Sequence, residues 1–286
     1  MDIYLLEAVI NGLLLGGVLA LLALGLNLIF GVVDVVWIAY ADLVMCGMYA
    51  VYWLHAYYGW PLTLACAAAI VSVAVLGLLV HLVIIAPVLR AAPINQLLAT
   101  GGLLFFLQSF ATLLFGTDFR NIGVRLPIIE VGGSEIYVSF ARLLAFGFAL
   151  VGAVALYVFL KRTYLGVAIR AISQDREIMG LMGVDQRRIY LVTSAIGGAL
   201  AGLGGCLLVL QYDVHPFIGN TFGPLIFMIC VLGGLGNMIG GFIASFIISQ
   251  IISIGGYYYS SEWAYVLAFT LFIVLMFIRP RGILAR

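Results

Sequence analysis

The chain has 286 residues, of which 65% are hydrophobic and 9% charged, against the roughly 45–50% apolar and 25% charged content of a water-soluble domain. That balance excludes a soluble globular protein. A net charge of +1 gives no reason to expect a nucleic-acid partner, and the placement of the charges is more informative than their sum.

A membrane-crossing helix needs about 20 predominantly apolar residues. In chain order, apolar runs predict spans over Ala8 to Val33, Val35 to Leu54, Pro61 to Ile85, Asn95 to Phe115 and Phe140 to Leu160. A basic stretch from Lys161 to Arg188 follows, then Ile189 to Leu210, a run from Phe222 to Ile254, and Trp263 to Ile278. The run from Phe222 is long for one span even with tilt, and Gly233, Gly234, Gly236 and Asn237 lie in its middle. It reads as two short spans, or as a broken helix followed by a full one. The expected fold is therefore all-α: a polytopic transmembrane helix bundle of about eight to nine membrane segments, in one domain over residues 1–286.

Ten basic residues fall at Arg90, at Lys161, Arg162, Arg170, Arg176, Arg187 and Arg188, and at Arg279, Arg281 and Arg286. Basic residues in short loops stay cytoplasmic, so loop 161–188 and the C-terminus are expected inside. That requires an even number of crossings between them, which the split of the long run supplies. Counting back places Arg90 inside and the N-terminus outside. The N-terminus carries Asp2 and Glu7 but no basic residue, so it lacks the basic region of a cleavable signal peptide, and the first apolar segment is expected to be retained.

Small residues recur four apart at Gly12 and Gly16, Gly198 and Gly202, Ala201 and Gly205, and Gly236 and Gly240. In lipid this spacing lets helix backbones approach closely, and packing within the chain is the simpler use of it. Trp37, Trp53, Trp60, Trp263 and Tyr257 to Tyr259 lie near predicted span ends and read as an interfacial belt. Cys46, Cys66, Cys206 and Cys230 sit inside apolar runs without metal-ligand spacing and read as packing residues.

The chain has no G-x-x-x-x-G-K-[ST], H-E-x-x-H or G-x-S-x-G, so no ATP site, metal site, other cofactor or catalytic centre is expected. Polar groups inside spans are costly and are functional candidates by default. Asn27, Asp34, Asp42, Gln108, Asn237 and Gln250 lie in or at the edge of the apolar layer. If the intervening backbone is helical, Asp34 and Asp42 share a face; Asp34 could instead cap a helix at the junction of the first two spans. Asn27, Asp42, Gln108 and Gln250 are the candidates for lining a pathway.

Within the basic loop, Asp175 can cap a short helix with interior Arg176 to Met182, stopped by Gly183, and Asp185 can cap the following span. Ile178, Met179, Leu181 and Met182 then form an apolar ridge in a charged loop. The ridge either docks a partner protein or packs on the chain's own spans.

The run RTYLGVAIRAISQDREIMGLMGVDQRRIYLVTSAIGGALAG, from Arg162 to Gly202, resembles the coupling loop and following span of the Liv-type permeases, the membrane subunits of branched-chain amino acid ABC importers. VLGGLGNMIGG from Val231 to Gly241, APVLRAAPINQLLATGGLLFFLQS from Ala86 to Ser109 and the ending RPRGILAR extend the resemblance along nearly the whole chain. It implies a second, related permease, two cytoplasmic ATPase subunits that hydrolyse the ATP, an external solute-binding protein, and residence in the bacterial inner membrane. It also implies a coupling role for Asp175, Arg176, Glu177, Ile178, Met179, Leu181, Met182 and Gly183. The chain departs from the family after the first span. Members commonly carry N-F-A-H-G followed by M-x-G-A-Y, whereas this chain reads WIAYADLVMCGMY from Trp37 to Tyr49: Met45, Gly47 and Tyr49 remain, but Trp37 and Tyr40 replace the Asn and His. The expected cargo is therefore a branched-chain amino acid or a related small polar solute such as urea, an amide or a small organic acid. An ion-coupled carrier or a channel is the rival reading, because broken glycine-rich helices also mark such proteins; a non-transporting scaffold would leave Asp42 without a role.

Overall fold

A computed structural model of the chain describes residues 3–124, 127–130, 137–279 and 282–283. Asp2, Arg281, Arg286 and the side chain of Glu177, which entered the reading above, lie outside the described residues. Helix α1 (Ile3–Val33) ends at Asp34, whose N–H donates to the carbonyl of Phe30 at 2.8 Å and whose φ is +60°. Asp34 is thus a left-handed residue terminating α1. The stretch 34–39 is not helical, so Asp34 neither shares a helix face with Asp42 nor caps the next helix. Helix α2 (Tyr40–Tyr52) starts five residues later than its expected span and widens into a π turn over Trp53–Tyr57.

Helix α3 (Leu62–Val80) continues through a second π turn, His81–Ile85, into the single turn α4 (Ala86–Val88). Helix α5 (Pro93–Phe115) leads to a short antiparallel ladder of β1 (Ile128–Glu130) and β2 (Tyr137–Ser139), then α6 (Phe140–Arg162). The basic loop contains two helices, α7 (Tyr164–Gln174) and α8 (Arg176–Leu181). Asp175 accepts from the N–H of Ile178 at 3.0 Å, and Gly183 follows with φ +80°, as its capping sequence suggests. Asp185 likewise accepts from Arg187 and Arg188 at the start of α9 (Gln186–Leu208).

The long run is broken into α10 (Gly219–Gly233) and α11 (Met238–Tyr258), and α12 (Ser261–Ile278) completes the bundle. Among the described residues, seven helices are long and apolar enough to cross a membrane; α2 and α10 are shorter. At the break, Asn237 accepts from Gly240 at 3.1 Å and caps α11, while Gly236 has φ +81°. A Cβ on Gly236 would lie 3.0 Å from the Cα of Gly31. Here glycine serves both the turn and the close approach.

The small-residue spacings pack helices of this chain together. On α9, Cβ atoms at Gly198 and Gly202 would press on the α3 backbone, and one at Gly205 would lie 2.7 Å from the carbonyl of Val44 on α2. Gly12 and Gly16 of α1 meet Gln250, Ser253, Ser249 and Phe246 of α11. The core is centred on α1, α2, α9 and α10, and α5, α6 and α12 form the rim. Trp53, Tyr57, Tyr58 and Trp60 gather beyond the end of α2, with Trp263 and Tyr257 to Tyr259 at another helix end. Trp37 departs from the expected belt: it is 1% exposed, because the linker 34–39 turns into the bundle instead of ending at its surface.

Candidate functional site

Asp42 lies in the first turn of α2 and is fully buried. Its Oδ1 accepts from Gln108 Nε2 at 3.0 Å, and the same amide nitrogen donates to Asn220 Oδ1 at 2.8 Å. Three helices, α2, α5 and α10, are thereby joined by one polar ladder. Asp42 Oδ2 is buried without a partner, a costly arrangement for a carboxylate. The carboxylate lies against the first turn of α10, where a Cβ on Gly219 would come 2.5 Å from Oδ1. Glycine at that position lets the acid reach the positive end of the α10 dipole, which favours a negative charge.

Beside the ladder is a cavity of about 410 Å³. Val36, Trp37 and Ile38 of the linker form one wall, Leu97 and Leu104 of α5 a second, and Gly223, Pro224 and Phe227 of α10 a third. Asn220 belongs to both the cavity and the ladder. An apolar cavity with a few placed polar groups is the usual form of a small-molecule site. Thr100 of α5 donates to the carbonyl of Val36 at 3.0 Å and so fixes the linker against the opposite wall. Tyr40 OH donates to the carbonyl of Gly197 at 3.2 Å.

Beyond the ladder, Tyr49 stacks on Phe115 with ring centroids 4.3 Å apart, and Trp53 tilts against the same ring. Arg120 lies over the Tyr52 ring and donates to the carbonyl of Phe115. Its backbone pairs with Val214, while Asn121 donates to Asp213 at 2.8 Å, joining the two loops at this end. In the second of these loops, burial pushes the His215 imidazole below its ordinary value, against the opposing effect of Asp213.

Of the four candidate pathway residues, Asp42 and Gln108 meet, whereas Asn27 and Gln250 go elsewhere. Asn27 Oδ1 accepts from the N–H of Gly236 at 3.1 Å, at the α10–α11 break. Gln250 Nε2 donates to the carbonyl of Val9 at 3.0 Å, fastening the middle of α11 to the first third of α1. Asn220 was absent from the sequence candidates. Its only local signal was an amide at the edge of an apolar run.

On α8, Ile178, Leu181 and Met182 are exposed, while Met179 packs partly against the core. Of the two sequence readings of this ridge, packing on the chain's own core applies to Met179, while Ile178, Leu181 and Met182 have no such cover within the chain. Arg176 pairs with Asp34 at 3.3 Å, and Gln186 donates to the carbonyl of Arg176 at 2.6 Å.

The bundle, with the two short helices α2 and α10 packed among longer apolar ones, is that of a multi-pass membrane protein. The sequence profile of the family described as "Branched-chain amino acid transport system / permease component" matches residues 8–276, and the chain belongs to that family. It is 29% identical to the high-affinity branched-chain amino acid transport system permease protein LivH of Escherichia coli K12, over 99% of this chain and 96% of that protein. It is also 29% identical to the corresponding permease protein BraD of Pseudomonas aeruginosa, over 98% and 96%. Among solved structures, PsaBC from Streptococcus pneumoniae in complex with Fab shares the fold with a TM-score of 0.53 at 13% identity, covering 95% of this chain and 91% of that one.

Proposed function

We propose that this chain is a pathway-forming subunit of an ATP-driven importer in the bacterial inner membrane, and that its cargo is a branched-chain amino acid. It would work with a second, related permease, two cytoplasmic ATPase subunits that bind the exposed α8 ridge, and an external solute-binding protein. The basic loop and the C-terminus face the cytoplasm in this reading, and the N-terminus faces outside. The observation that carries it is the buried Asp42–Gln108–Asn220 ladder beside an apolar cavity. Polar groups inside a membrane protein are costly, and solute pathways are among the places that retain them. The apolar walls suit an aliphatic side chain, and the ladder reaches the cavity through Asn220, whose side-chain carbonyl is an acceptor for an ammonium group. Trp37 adds to the apolar wall. That favours an aliphatic solute over urea, amides or small organic acids, which are the comparison solutes.

The test is uptake by the complete transporter in proteoliposomes, with labelled leucine, isoleucine, valine and urea. ATP-dependent uptake of the aliphatic amino acids is expected. Asp42→Ala should lower it about tenfold, the equivalent of ~1.4 kcal/mol, with membrane insertion unchanged. Uptake by the chain alone under an ion gradient, without ATP, would overturn the reading.

A further inference from the structure

The linker 34–39 is held at two points. Near its middle, the carbonyl of Val36 accepts from Thr100 of α5. At its start, the Asp34 carboxylate pairs with Arg176, the first residue of α8. Between and just beyond these points lie Val36, Trp37 and Ile38, which form a cavity wall. A displacement of α8 therefore has a short route to the site: Arg176, Asp34, Val36, Trp37. Arg176 is itself tied to the following span through Gln186, and Arg188 is occupied by Asp185 at 2.9 Å, which leaves the Arg176 guanidinium to Asp34.

The residue at position 34 is informative. Among the described residues, the other positive-φ positions, such as Gly183, Gly234 and Gly236, are all glycines, and Asp34 is the one exception. Glycine adopts this conformation at lower cost, so the chain carries strain there in return for a carboxylate. That carboxylate contributes little to folding, because the side chains of the pair are 61% and 35% exposed and an exposed ion pair adds little to stability. Its position between α8 and the cavity wall gives it a different use.

We propose that the Asp34–Arg176 ion pair transmits movement of α8 to the Trp37 wall of the cavity, with both members acting as positioning residues for the transport step. The proposal rests on the import reading above. The measurement is solute imported per ATP hydrolysed by the complete reconstituted transporter, recorded beside thermal unfolding of the same preparation. Asp34→Asn keeps the shape and tolerates the left-handed backbone, Asp34→Gly relaxes the backbone, and Arg176→Gln removes the other partner. Each should lower the solute-to-ATP ratio about threefold, on the scale an exposed pair carries, without lowering the unfolding midpoint. Arg176→Lys should keep the ratio near wild type. Raising the salt to about 1 M, where the screening length falls to roughly 3 Å, should erase the difference between wild type and Asp34→Asn.

Wild-type ratios in Asp34→Asn and Asp34→Gly would overturn the transmission role and leave the import reading standing, since the wild type still imports with ATP. A loss that tracks a lowered unfolding midpoint and is absent from Arg176→Gln would assign the pair to folding and overturn the proposal equally. Failure of the wild-type assembly to import with ATP would remove the import reading and this proposal with it.

Discussion

Helices α1 and α12 are both apolar enough to span a membrane, yet 83% of the most apolar stretch of α1 is buried inside the protein and 11% of that of α12. Hydropathy does not separate them; small and polar residues do. Helix α1 carries Gly12, Gly16 and Gly25 against neighbouring helices and Asn27 and Gly31 against the α10–α11 break, whereas α12 has no glycine. In lipid there is no hydrophobic drive between helices. Close backbone approach and interhelical hydrogen bonds therefore decide which helix is enclosed, and a helix without them faces outwards.

This contrast can be broken most severely at α9. Gly205→Leu drives a side chain into the backbone of α2 and is expected to cost more than about 3 kcal/mol, at the upper end of overpacking. Size-exclusion chromatography of a fluorescent fusion should then show little monodisperse protein. Asn27→Ala is the next test. It leaves the half-buried N–H of Gly236 without its acceptor, a loss of about 1 kcal/mol that should lower the unfolding midpoint while the folded fraction still imports. Phe277→Ala on the rim, 87% exposed, should change stability by no more than about 0.5 kcal/mol. A large loss there would place a protein neighbour, not lipid, against that face of α12.

Much of the bundle was legible because length and punctuation sufficed. Helices α5, α6, α9 and α12 lie within a few residues of their expected spans. The break between α10 and α11 was legible from the excess length of the run and from Gly233, Gly234, Gly236 and Asn237 in its middle. The linker 34–39 was not. Val35, Val36, Trp37 and Ile38 are as apolar as any helix, and the hydrogen bond from Thr100 to the Val36 carbonyl, which holds them in a non-helical path through the bundle, is a tertiary contact that hydropathy does not register. Helix α7 was also missed, because its apolar face is short and it folds tightly back on α6, with Gly166 over the carbonyl of Phe159. For the site, Asp42 and Gln108 stood out as polar residues in apolar runs, but their meeting could not be read. Asn220, 112 positions from Gln108, looked like an ordinary loop amide. Asn27 and Gln250 carried the same signal as Asp42, yet Asn27 holds the α10–α11 break and Gln250 ties α11 to α1, so intramembrane polarity marks a hydrogen-bonding need without saying which kind.

The two short helices have a consequence for the surrounding lipid. Helix α2 (13 residues) and the π turn that continues it (5 residues) together extend no more than roughly 27 Å at 1.5 Å per residue, under the ~30 Å of a hydrocarbon layer. Because its neighbours enclose it, α2 never has to match that layer, and neither tilt nor bending of it exposes a mismatched edge to acyl chains. Changing acyl-chain length in reconstituted vesicles should therefore shift the heat resistance of the assembly through the outer helices, while the turnover of the folded transporter stays comparatively constant.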